Sequence, residues 1–145
     1  MVGWAVDVHL RAALAVAALQ MALAARHPQP GQLIHHSDRG VQYACAEYSA
    51  LLVAHGIQPS MSRVGSPYDN AKAESFMSTL KREEVDGRTY RTALEARRSI
   101  GSFIEEIYNR QRLHSALNYL APADFEATVV PGMVSRQKEH AVNRA

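Results

Sequence analysis

The stretch IHHSDRGVQY, residues 34–43, joins the end of a predicted strand to a turn. The fold and the candidate site are both argued from this junction. Asp38 follows the two histidines and stands beside Arg39 and Gly40, a setting typical of turns. In open α/β sheets, ligands collect beyond the carboxyl ends of the strands, so an Asp here is a candidate metal ligand. A turn Asp that bonds its own backbone is the simpler local interpretation. A second carboxylate close to Asp38 is needed to favour metal binding over the turn interpretation.

Strands and helices alternate on both sides of this stretch. The residue patterns predict strands in VGWAV (2–6), QLIHH (32–36) and IQPSMS (57–62), and helices at about 9–26, 44–55, 70–84 and 92–112. This order predicts an α/β fold with helices packed on a largely parallel sheet. Sheets usually have about four to six strands, so three strands lead us to expect that the chain begins within a larger architecture.

The helical period also predicts which side of each helix is buried. The first helix has its stripe at Leu10, Leu14, Ala17, Ala18, Met21 and Ala25; the second at Tyr48, Leu51 and Leu52, with Gly56 as its end signal; the third at Ala73, Phe76, Met77 and Leu80; and the last at Leu94, Arg97, Ile100, Ile104 and Ile107. These residues are the predicted core.

Composition sets broad limits on the class of protein. The chain has 145 residues, 47% hydrophobic and 21% charged, which indicates one ordinary globular domain and excludes intrinsic disorder. Cys45 is the only cysteine, so an internal disulfide is excluded and a reducing cytoplasm fits. The alanine-rich run at 12–25 is shorter than the ~20 residues of a spanning helix, so no membrane segment is expected. Residues 131–145 are polar and expected to fray.

Glu74 is the second carboxylate. It shares the polar face of the third helix with Asn70, Ser78 and Lys81 and lies beyond a loop, RVGSPYD (63–69), that is either mobile over a substrate or a simple connection. A solvated surface Glu is the alternative. Asp38 and Glu74 have 35 residues between them, and two such carboxylates can converge on Mg²⁺, which prefers oxygen ligands. A pair of metals would then support an in-line phosphoryl transfer.

Basic residues and histidines near these carboxylates have their own interpretations. Four basic residues flank the predicted site and are candidates for contacts with substrate phosphates, although a solvated basic surface fits equally well: Arg63, Lys72, Lys81 and Arg82. His35 and His36 are adjacent in a strand and point to opposite faces, which argues against a shared zinc ion.

Three motifs in order and spacing carry a family resemblance. HHSDRGVQY (35–43), SRVGSPYDNAKAESFMSTLKREEV (62–85) and YNRQRLHSALNYLAPADFE (108–126) resemble the DDE transposases of insertion sequence family three, relatives of the retroviral integrase catalytic core. The resemblance runs from about Val2 to Glu126. It implies a ribonuclease H-like fold and Mg²⁺-dependent cleavage and joining of DNA strands. Asp38 matches the second acidic residue of the family and Glu74 the third.

The family's first catalytic Asp lies upstream of the segment that VGWAV resembles. The resemblance therefore implies an incomplete ribonuclease H-like fold, without its first strand and most of its second, in which residues 1–130 form the C-terminal part of the catalytic core. The expected partners are DNA and a homo-oligomeric copy in a bacterial cytoplasm, and the expected cofactor is a pair of Mg²⁺ ions. Two alternatives remain: an inactive remnant that at most binds DNA, and a ribonuclease H-like nuclease unrelated to transposition.

Overall fold

The computed structural model describes residues 1–38, 40–61 and 71–129. Within these ranges the chain forms five α-helices and a two-stranded parallel sheet: α1 Ala12–Arg26, β1 Ile34–Ser37, α2 Ala46–Ala54, β2 Gln58–Met61, α3 Ala71–Leu80, α4 Ala93–Ser102 and α5 Pro122–Val129. π-Helical turns extend α3 through Lys81–Val85 and α4 through Phe103–Tyr108. The predicted mixture of helices with a parallel sheet is confirmed.

The chain divides into two compact units. The first comprises Val2–Ile100, and the second consists of Met1 with the chain from Gly101 onward. The first unit carries both strands, α1, α2, α3 and most of α4. Both predicted carboxylates, Asp38 and Glu74, therefore belong to the first unit.

The sheet of the first unit is short and open. β1 pairs with β2 in parallel, from Ile34 opposite Gln58 to Ser37 opposite Met61, and α2 makes the connection between them. Among the described residues β1 has no second strand beside it. Ile34 is 55% exposed and Leu33 44% exposed at this end of the sheet. Another chain can pair with an open edge of this kind, which is compatible with the expected homo-oligomer. The homo-oligomer itself stays a prediction.

The core of the first unit lies between α1 and α2. Its buried side chains are Val16, Leu19, Leu23, Tyr48, Leu52 and Ile57. The predicted face of α2 is confirmed, because Tyr48 and Leu52 are buried and Leu51 packs against them. The predicted face of α1 is wrong: Met21 is 40% exposed, and the buried stripe lies on the opposite side of the helix. Because α1 is rich in alanine around its circumference, the period alone did not distinguish the two sides.

Residues 2–6 do not form the predicted strand. This segment has no neighbouring strand among the described residues and packs along α1 instead. The backbone N–H of Trp4 donates to Met21 Sδ at 3.5 Å, and a Cβ on Gly3 would lie 2.8 Å from the Ala22 Cβ. The β-branched pattern was therefore overridden by close packing against a helix.

The second unit is organised around Asn109. Its side chain accepts a hydrogen bond from the Met1 amine at 2.6 Å and donates one to the Met1 carbonyl at 2.8 Å. Ile104 is 2% exposed and confirms the core assignment for that position, whereas Ile107 is 41% exposed and does not. His114 packs edge-on against Tyr108, and burial is the largest of the causes that lower its pKa.

Gly56 ends α2 in a Schellman motif. It has φ +62°, its N–H donates to the Val53 carbonyl at 2.9 Å, and the N–H of Ile57 donates to the Leu52 carbonyl at 2.9 Å. A Cβ at Gly56 would lie 2.6 Å from the Cβ of Pro30. The end of α2 is thus specified by both a backbone conformation and a close approach.

We expect Gly56→Ala to destabilise the first unit by about 2–4 kcal/mol, because left-handed backbone strain and overpacking add. Gly31→Ala is the matched control: Gly31 has φ +80° with no atom within 4 Å of a Cβ. It should lose only about 1–2 kcal/mol. Urea denaturation of both variants measures the difference, and equal losses would show that the contact with Pro30 carries no cost.

Candidate active site

Asp38 follows β1 directly, at the carboxyl end of the parallel pair. Its side chain is half-buried, and Oδ1 accepts a hydrogen bond from the Gly40 N–H at 2.8 Å. A Cβ at Gly40 would lie 2.8 Å from the same oxygen, so glycine is what lets the backbone close on the carboxylate. The turn interpretation of Asp38 is confirmed. The turn uses Oδ1 alone, and among the described residues Oδ2 has no hydrogen-bond partner.

Three aromatic rings pack behind this turn and fix β1 to α2. His35 Nε2 and the Tyr48 hydroxyl are hydrogen-bonded at 2.9 Å, and Tyr43 packs edge-on against Tyr48 with ring centroids 5.4 Å apart. Burial, followed by the charges of Tyr43 and Cys45, raises the pKa of Tyr48 to about 12. Burial is also the main cause that lowers the pKa of His35. Both groups are therefore neutral at pH 7, and the strand that carries Asp38 is held by an uncharged contact.

The two histidines of β1 lie on opposite faces, as their adjacency predicted. His35 is half-buried against α2 and His36 is exposed. Within the described residues, no group of three or more His, Cys, Asp or Glu side chains lies close enough to hold a metal ion.

Glu74 lies in the first turn of α3 with its side chain exposed. Ser78 and Lys81 are also exposed, so three of the four residues of the predicted polar face lie at the surface, and the fourth, Asn70, lies outside the described residues. The predicted inward face is only partly confirmed: Leu80 is buried and Phe76 half-buried, but Ala73 is exposed and Met77 is 47% exposed. The residues that pack, Thr79 and Leu80, lie at the C-terminal end, where α3 passes into its π-helical extension.

The predicted DNA contacts differ in their surroundings. Lys72 and Lys81 are exposed, whereas the exposed Arg82 forms an ion pair with Glu83 at 3.2 Å. Arg63 and the loop 63–69 lie outside the described residues, as does the tail 131–145. Since residues 62–70 connect β2 to α3, convergence of Asp38 and Glu74 on one ion stays a prediction.

Glu84 forms a buried cluster that the sequence did not predict. It is 4% exposed, and its Oε1 accepts hydrogen bonds from Ser99 Oγ at 2.5 Å and the Tyr90 hydroxyl at 3.2 Å. Arg88 Nη2 lies 3.2 Å from Oε2. Burial, then the neighbouring Glu84 carboxylate, raises the pKa of Tyr90. The cluster ties the π-helical end of α3 to α4, and so anchors the element that carries Glu74 and Lys81.

Comparison with known proteins gives consistent matches along the chain. Two families, each described as an integrase core domain, match residues 1–67 and 55–122. The chain is 45% identical over 125 residues to the transposase for insertion sequence element IS904 of Lactococcus lactis, covering 86% of this chain and 49% of that protein. It is 42% identical over 125 residues to transposase InsF for insertion sequence IS3A of Escherichia coli, covering 86% of this chain and 43% of the relative.

A third relative is an insertion element IS600 uncharacterized 31 kDa protein of Shigella sonnei, 47% identical over 108 residues, with 74% of this chain and 39% of that protein covered. The chain thus spans about half the length, or less, of these relatives. No helix in the described part of the chain has the length and apolar character needed to cross a membrane.

Proposed function

The chain belongs to the integrase core domain family, in the form found in insertion-sequence transposases, and from this premise we propose that it is the catalytic portion of a transposase that cuts and joins DNA with divalent metal ions. The proposal extends to a ribonuclease H-like fold for the complete domain, of which β1, α2 and β2 would form one parallel crossover unit. Residues 1–130 would be the C-terminal part of that core.

The observation that carries the proposal is the setting of Asp38. Its carboxylate stands at the carboxyl end of a parallel strand, and a single hydrogen bond to Gly40 orients one of its two oxygens. Together with Glu74 it offers oxygen donors only, which is the ligand chemistry that Mg²⁺ prefers. When bound, such ions would activate an attacking water or hydroxyl and stabilise the leaving oxygen.

In the proposed reaction, the protein's own residues hold the two carboxylates in place and orient the DNA strand. The contact between His35 and Tyr48 fixes the strand that presents Asp38, and the Glu84 cluster fixes the end of α3 behind Glu74. Lys72 and Lys81, exposed on α3 and its extension, would contact DNA phosphates and align the strand without reading its bases. Arg82 would contribute less, because Glu83 already pairs with it.

A chimera tests this function. The 125 matching residues of this chain would replace the corresponding segment of the Lactococcus lactis IS904 transposase, to which they are 45% identical. We expect Mg²⁺-dependent joining of IS904 end DNA to a target plasmid, measured on gels beside the unaltered transposase. A chimera that binds DNA but joins none with Mg²⁺ or Mn²⁺ would instead support the alternative of a chain that only binds DNA.

A further inference from the structure

The first turns of α4 carry an exposed patch, two of whose residues, Leu94 and Arg97, the sequence pattern had assigned to the core. Leu94 is 57% exposed, and Arg97 and Arg98 are both exposed. Residues three and four apart are neighbours on a helix surface, so Leu94 lies beside both arginines. We call Leu94, Arg97 and Arg98 the α4 patch.

The two guanidinium groups of the patch are not neutralised within the described part of the chain. No carboxylate there lies within ion-pair distance of Arg97 or Arg98. By contrast, Arg82 is paired with Glu83, Arg88 with Glu84, and Arg110 with Glu106. The α4 patch therefore presents two adjacent positive charges to solvent.

The acidic residue of the same helix, Glu95, forms hydrogen bonds that cap the N-terminus of α4. Glu95 Oε2 accepts a hydrogen bond from the Arg91 N–H at 2.8 Å, and the Glu95 N–H donates to Thr92 Oγ1 at 3.1 Å. This arrangement resembles a capping box, in which the carboxylate turns back towards the N-terminus. Glu95 is thereby oriented along the backbone and away from the ion pairs that a surface Glu would otherwise form with Arg98.

We propose that the α4 patch is a second DNA-contacting surface, which binds backbone phosphates through Arg97 and Arg98 in addition to the contacts made from α3. The proposal rests on the proposed function, because that function supplies the polyanionic partner. Arginine suits this role, since its planar fork matches phosphate oxygens and its aliphatic stem can lie along an apolar neighbour such as Leu94. A contact of this kind adds affinity and orientation without base specificity.

The salt dependence of DNA binding tests the proposal on the full 145-residue chain. Binding of a fluorescent duplex would be measured by anisotropy from 50 to 200 mM salt for wild type, Arg97→Gln/Arg98→Gln and Lys72→Gln/Lys81→Gln. We expect the arginine double variant to bind about tenfold more weakly at low salt, with a slope of log K against log salt reduced by about 2, because each neutralised phosphate contributes about 0.9. Gln preserves helix propensity, so α4 should stay folded.

Two further variants separate a local contact from net charge. Arg11→Gln/Arg110→Gln removes the same charge from exposed positions outside the patch and should leave the slope nearly unchanged. Arg97→Lys/Arg98→Lys keeps the charge and should restore most of the slope. If the lysine variant on α3 weakens binding but the α4 variant matches the Arg11/Arg110 control, the patch proposal is wrong and the proposed function stands. If wild type binds no DNA, DNA as the partner and the patch fail together.

Discussion

Asp38→Asn in the chimeric transposase is expected to reduce Mg²⁺-dependent strand transfer by about a thousandfold or more. Asn has nearly the same shape as Asp, and its Oδ1 can accept the same hydrogen bond from the Gly40 N–H, which is now 2.8 Å long. The turn should therefore survive. What Asn lacks is the negative charge, and loss of a metal ligand removes several kcal/mol of transition-state stabilisation, each 1.4 kcal/mol being about tenfold in rate.

This substitution separates the two interpretations of Asp38. If Asp38 served only as a turn residue, Asn would replace it with little loss, since both residues suit such turns. Asp124→Asn is the matched control, because Asp124 is exposed in the first turn of α5 and lies in the other unit. Strand transfer is measured as joined product per hour at fixed Mg²⁺. Retention of more than a tenth of the activity by Asp38→Asn would refute its role as a ligand.

Glu74→Gln should show the same loss, and the double variant should be no worse than either single one. Groups that act as a unit in catalysis are strongly non-additive, because removing one already disables the site. Multiplicative losses would indicate that Asp38 and Glu74 contribute independently, and would contradict the proposal that they serve a common metal site.

The sequence predicted the positions of the helices better than it predicted which side of each helix is buried. In α2 the large side chains Tyr48 and Leu52 define one side, and they are the residues that the structure buries. In α1 most positions are alanine, so the pattern did not distinguish the stripe through Leu14 and Met21 from the buried one through Leu19. Periodicity locates a buried face only where the side chains differ enough in size to make one face cost more to expose.

Features that depend on distant parts of the chain were less accessible. The Asx turn at Asp38 is local, and the sequence SDRG contains all of it. The Glu84 cluster requires Ser99, 15 residues away, to meet the carboxylate across a connecting segment, and no local pattern encodes that meeting. The exposure of Leu94 and Arg97 is likewise set by where α4 finds its neighbours. Both the Glu84 cluster and the exposed side of α4 are set by tertiary packing, which the local residue pattern does not encode.

Glu84→Ala is expected to destabilise the first unit by about 3 kcal/mol. The carboxylate is 4% exposed and accepts hydrogen bonds from Ser99 and Tyr90 while it pairs with Arg88. Its removal takes the carboxylate acceptor from the half-buried Ser99 hydroxyl and opens a gap at the π-helical end of α3, whereas the Tyr90 hydroxyl keeps the backbone carbonyl of residue 84 as an acceptor at 3.0 Å. Breaking a buried charged network typically costs about 3–5 kcal/mol. Because the Arg88 side chain is 53% exposed, water can replace part of its lost interaction with Glu84. We therefore expect a destabilisation at the low end of this range.

Glu83→Ala provides the comparison, since the two residues are adjacent and both acidic. Glu83 pairs with Arg82, whose side chain is 66% exposed, and a surface ion pair contributes about 1 kcal/mol or less. Urea denaturation followed by the fluorescence of Trp4, the single tryptophan, reports on the unit that contains both residues. Equal losses for the two variants would contradict a special role for Glu84.

A double-mutant cycle then assigns the cost to the contact itself. Ser99→Ala should lose part of the stability, and the Glu84→Ala/Ser99→Ala variant should lose less than the two single losses added together, with a coupling of about 1–2 kcal/mol. The reason is that once the carboxylate is gone, the Ser99 hydroxyl has no charged acceptor left to lose. Additive losses would mean that the short contact between Ser99 and Glu84 contributes nothing specific to the stability of the first unit.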